Sequence, residues 1–182
     1  SEVEEAEKEL REMSKTSTRL VEELEERLRR ASETLKKLVD DVKRELDKRL
    51  EDIDRRVARN KEKKEELDKE LEEVDDRARK VKRTLEDILR ESKRLVEKIE
   101  EDLKKLDEDS RRSVDDVRRR LKGDRLKERV DRLLEEHHKV NKRLLERIEE
   151  VLRRHETTLR ELIKEIDKLL RDLKKRIDDV KK

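Results

Sequence analysis

Polar residues return along this chain at intervals of eighteen. Ser14 recurs as Ser32, Thr16 as Thr34, Ser92 as Ser110, and His137 as His155. Eighteen residues are five full turns of an α-helix, so each copy comes back to the same face about 27 Å further on. The apolar residues keep the same time. In the first third they fall at Val3, Ala6, Leu10, Met13, Leu20, Leu24, Leu28, Ala31, Leu35, Leu38, Val42, Leu46, Leu50, Ile53 and Val57, with Ser17 in the one vacant step. The mean step is 3.6 residues. A heptad pattern would average 3.5 and wind a left-handed supercoil, whereas 3.6 implies nearly straight helices.

Helices this long need a chain almost free of breakers. Proline is absent, Gly123 is the single glycine, and 60% of the residues are Asp, Glu, Lys or Arg. The apolar share is 29%, against roughly 45–50% in an ordinary globular domain. Low hydrophobicity with high charge also marks disordered chains. Here the charges nearly cancel, 56 positive against 54 negative, and the apolar residues are periodic, so helices are the better reading. Cysteine is absent, which removes disulfides and thiolate chemistry. No apolar run approaches the roughly 20 residues of a membrane span. Ser1-Glu2-Val3-Glu4 reads as a capping box, not as a basic-then-apolar targeting signal. A soluble protein is the expectation.

Two places favour reversals. Gly123, between Leu121-Lys122 and Asp124, fits a helix C′ residue followed by an N-cap. Asn60 tolerates the left-handed conformation that ends helices. Cuts there give helices over about 2–59, 63–121 and 125–181, each roughly 85–90 Å long. Short connections make neighbours antiparallel. The expected fold is all-α: one antiparallel, nearly untwisted up-down-up three-helix bundle over residues 1–182, with helices of about 58 residues. Four helices would need reversals near 45, 91 and 137, where no breaker stands.

The fold-back fixes a register. Let residue i of the first helix face 124−i of the second and 124+i of the third. Leu35, Leu89 and Leu159 then share a layer, and Val57 meets Leu67. Ser17, Asp107 and Asn141 share another level. Ser14, Ser110 and His137 form a third, and Ser32, Ser92 and His155 a fourth. Thr16, Thr34 and His138 fall towards the stripe edges. Buried hydroxyl and imidazole groups need partners, and an imidazole and a serine can supply them mutually. Such levels penalise a one-turn slip that an all-leucine core would tolerate. They also offer a second possibility: buried neutral histidine loses stability on acidification.

Other chemistry is poorly served. His137 and His155 are about 27 Å apart along one helix and cannot share an ion. Glu136-His137-His138 lacks zinc-hydrolase spacing. Ser110, His137 and Asp107 resemble a catalytic set only in composition, because a packed core offers no evident pocket or oxyanion site. The basic run Arg118-Arg119-Arg120-Leu121-Lys122 complements a helix C-terminus. No aromatic is present to stack a nucleic-acid base. No cofactor, metal, nucleic acid or membrane partner is expected.

The whole length resembles computationally designed, parametrically generated straight three-helix bundles carrying buried hydrogen-bond networks. The resemblance rests on the eighteen-residue recurrences, the equal helices, the minimal turns and the Glu/Lys/Arg surface. It implies a very stable monomer with no biological activity and no natural compartment. Ser14, Ser32, Ser92, Ser110, His137 and His155, with Ser17, Asp107 and Asn141, would be the network members. The absence of Trp and Tyr departs from common design practice. Natural spectrin-like repeats are shorter and usually carry core aromatics. A helical spacer or oligomerisation module is the competing class.

Overall fold

The computed structural model describes residues 1–59 and 64–181. Three helices account for nearly all of them: α1 (Glu2–Ala58), α2 (Lys64–Arg120) and α3 (Asp124–Lys181). No strand occurs among the described residues. The expected reversal at Asn60 lies outside the described residues. At the other reversal, Gly123 has φ 106°, a region that L side chains rarely enter. Both neighbouring boundaries fall one residue earlier than the sequence suggests. Leu121 N–H closes on the Arg118 carbonyl at 3.3 Å, past the end of α2. Asp124 is not the cap before α3 but lies in its first turn, where its charge suits the helix dipole. At the start of α1, Ser1 Oγ accepts the Glu4 N–H at 3.4 Å, and the Glu4 carboxylate reaches the terminal amine.

Packing resolves into two compact units, each built from all three helices. The first comprises Ser1–Leu28 and Ser92–Arg154. There α1 and α2 run antiparallel, with Ser113 donating to Glu9 and Arg120 paired with Glu2. α1 and α3 run parallel, as the Glu7–Arg129 and Glu25–Arg147 pairs require. Two apolar clusters form its interior. One holds Val21, Leu24, Leu28, Val96, Leu103, Leu144 and Ile148. The other holds Val3, Leu10, Val114 and Val130. The stretch of sequence between them on each helix carries the polar residues described below.

The second unit comprises Arg29–Glu91 and His155–Lys182. Its directions are set in the same way by Arg49–Glu73, Lys43–Glu165, Asp54–Arg176 and Lys82–Asp167. One continuous cluster fills it, from Leu35 and Val39 through Leu71, Val74 and Leu85 to Leu159, Ile166 and Leu173. Leu35, Leu89 and Leu159 all belong to that packing.

Two details of the stripe differ from the sequence reading. Val21 and Val39 are fully buried, while their neighbours Leu20 and Leu38 are only half-buried. A stripe that is apolar at both adjacent positions does not reveal which one faces the centre. Val57, placed on the inward line by the sequence reading, is 46% exposed. After Ile53 the inward line passes between positions 56 and 57. Arg56 takes the inner side, held by Asp52 and Glu70.

Candidate functional site

The polar residues of the first unit form a connected chain across its helices. Ser14 Oγ lies 2.8 Å from His137 Nδ1. His137 is 3% exposed. One turn along α3, Asn141 Nδ2 sits 3.4 Å from His137 Nε2 and donates to Asp107 Oδ1 at 3.3 Å. The amide can only donate from Nδ2, so Nε2 accepts. The ring proton then sits on Nδ1 and is given to Ser14 Oγ. His137 is therefore not placed to take a proton from Ser14, and the pair is a structural hydrogen bond rather than a base with its nucleophile. Burial lowers the His137 pKa below the usual 6.5; the Asp107 charge opposes this, and neighbouring His138 adds to it.

Asp107 is the branch point. Besides Asn141 it engages His138 Nδ1, and Arg111 Nε donates to His138 Nε2 at 3.1 Å. His138 and Arg111 were not among the residues that the sequence singled out as members. The signal was available: α2 and α3 pair where their numbers sum to about 249, as in Arg118–Asp131, and 111 with 138 satisfies that sum. Ser110 is expected on the level of Ser14 and His137. It is fully buried, but its hydroxyl donates to the Asp107 carbonyl on its own helix at 2.6 Å. A serine in a helix always has such a carbonyl within reach. Ser17 and Asn141 are buried on α1 and α3, and Ser17 Oγ and Asn141 Oδ1 have no partner. Ser92 is buried too, at 7% exposure.

The second unit repeats the central contact. Ser32 Oγ lies 2.8 Å from His155 Nδ1, and His155 is 2% exposed. Both serine–histidine pairs span 123 residues, one short of the register drawn from the sequence.

An open groove runs beside the Ser14–His137 pair, floored by Leu10, Leu133 and Val140 and rimmed by Glu7, Arg11, Lys15 and Glu136. Rim charges of both signs give it no preference for an anion or a cation. Among the described residues no cluster of three or more His, Asp or Glu side chains could hold a metal ion. No helix there is long and apolar enough to cross a membrane.

The helices and their pairing define an all-α three-helix bundle. A solved structure described as a computationally designed three helix bundle is similar to it, with a TM-score of 0.57 and 20% sequence identity over 98% of this chain and 88% of that one. No protein-family model matches the chain, and no curated protein does.

Proposed function

We propose that residues 1–182 constitute a designed structural scaffold without natural biochemical activity, whose buried serine, histidine and asparagine fix the register of its helices. One observation carries this reading. Ser14–His137 and Ser32–His155 have the same bond length and the same sequence offset, eighteen residues apart on both helices. Sliding α3 past α1 by one turn would move His155 from Ser32 to Leu28 or Leu35 and leave its Nδ1 against hydrocarbon. The likeness to a designed bundle supports the origin. The test combines Ser14→Ala, Ser32→Ala, His137→Leu and His155→Leu. That variant should stay helical and at least as resistant to denaturant, yet give more than one set of amide resonances. A single set with unchanged interhelical contacts would show that register is set elsewhere. Light scattering should give the monomer mass of 22.3 kDa. A multiple of it would favour the oligomerisation module.

A second reading has its own observation: burial disfavours the charged form of His137 and lowers its pKa. Its surroundings are mixed. Asp107 acts on it from α2, His138 lies beside it on α3 with Arg111 bonded to its ring, and Glu7, Arg11, Lys15 and Glu136 rim the adjoining groove. With the folded pKa below 6.5, the unfolded chain binds the proton first as pH falls. Stability is full above 6.5, declines below it, and levels off under the folded value. Denaturation midpoints at about pH 7.5 and about pH 4.5 test this. The drop should be larger in the wild type than in a His137→Leu, His155→Leu variant. Equal drops would end the pH-responsive reading.

A further inference from the structure

Ser17 Oγ and Asn141 Oδ1 are sealed from solvent and bonded to nothing. Ser17 is 0% exposed and Asn141 4%. They stand at matching heights. Ser17 lies three residues beyond Ser14 on α1, and Asn141 four beyond His137 on α3; Ser14 and His137 are directly bonded. One helical turn from that bond reaches both.

Neither atom has a simple escape. Asn141 spends its Nδ2 protons on Asp107 and His137. Turning the amide over would aim its oxygen at the Asp107 carboxylate, acceptor against acceptor. The oxygen therefore stays where it is and needs a donor. Ser17 has a carbonyl of its own helix within reach, the kind of bond Thr16 makes to Glu12 and Thr84 to Lys80. Its hydroxyl does not take it and is left buried without a partner.

We propose that Ser17 Oγ and Asn141 Oδ1 together hold one buried water molecule. The guest must donate to an amide oxygen, exchange a hydrogen bond with a hydroxyl, and fit between packed helices. Water does all three. Buried waters typically make about three hydrogen bonds, and these two atoms supply two of them. A metal cation fits poorly, because two neutral oxygens cannot replace its hydration shell.

The proposal depends on Ser17 and Asn141 sharing a level, as the scaffold reading does, but the two fail separately. A crystal structure that resolves ordered waters should show one within hydrogen-bonding distance of both atoms. In solution, the Asn141 side-chain amide protons should show a cross-relaxation signal with a long-lived water. Ser17→Val, which fills the water's place, should abolish that signal while leaving the Ser14–His137 contact. A direct Ser17–Asn141 hydrogen bond, or density showing no water there, overturns the proposal and leaves the register intact. The two residues on different levels would overturn both. If Ser17→Val does not fold, the wild-type density decides alone.

Discussion

Side chains of the same type do different work here according to the carbonyl or ring they face. Ser14 and Ser110 are both inward serines on neighbouring helices. Ser14 accepts the only ring proton of His137, while Ser110 satisfies itself on the carbonyl of Asp107. Ser14→Ala leaves a buried imidazole N–H without an acceptor and should cost about 1–3 kcal/mol. Ser110→Ala removes a donor and leaves a carbonyl still bonded within its helix, so it should cost less than about 1 kcal/mol. Urea denaturation of the two variants checks the ranking. The sequence carried the first contact, since a fold-back of 124 lies one residue from the 123 observed. It could not carry the second, because a hydroxyl choosing between its own helix and a neighbour is a matter of rotamer, not of spacing. The link from Asp107 to His138 was hidden for a similar reason. His138 sits at the edge of the stripe, and only the reach of its ring brings it to the carboxylate.

At the level of elements, helix existence follows from what the chain lacks. Without proline, and with one glycine, nothing interrupts α1 for 57 residues. The exact boundaries were less legible, because capping signals such as Gly123-Asp124 admit a shift of one position. Gly123 itself yields a clear expectation. A Cβ there would meet nothing within 4 Å, so substitution acts through the backbone alone. Gly123→Ala should cost about 1 kcal/mol, read as a lower denaturation midpoint without loss of helicity. A core position behaves differently. Ile148 is fully buried in the cluster with Leu24 and Leu103. Ile148→Ala should cost about 2–5 kcal/mol, the range for truncations that leave a cavity. The periodic pattern identified that stripe but could not rank Leu20 against Val21, because both fit a wide apolar face.

For the molecule as a whole, the surface charges are abundant, balanced and mostly exposed. Pairs such as Arg29–Glu33 and Arg154–Glu150 leave both partners more than half accessible. Exposed pairs contribute roughly 0–1 kcal/mol each and are screened by salt. Raising sodium chloride to about 1 M should therefore shift the thermal midpoint only slightly. A large fall would mean that surface ion pairs, and not the buried apolar clusters, dominate stability. The first unit adds a different consequence. Its interior oil is not continuous: the Ser14–His137–Asn141–Asp107 chain separates Val3, Leu10, Val114 and Val130 from the larger cluster around Leu24 and Ile148. That end rests on the smaller cluster, with half-buried Val117, Leu121, Leu133 and Leu134 packed against it, so it can open without disturbing its neighbour. Amide protons near residues 3–10 and 114–130 should exchange with deuterium well before those near 21–28 and 144–152, with the polar chain acting as a firebreak against unzipping.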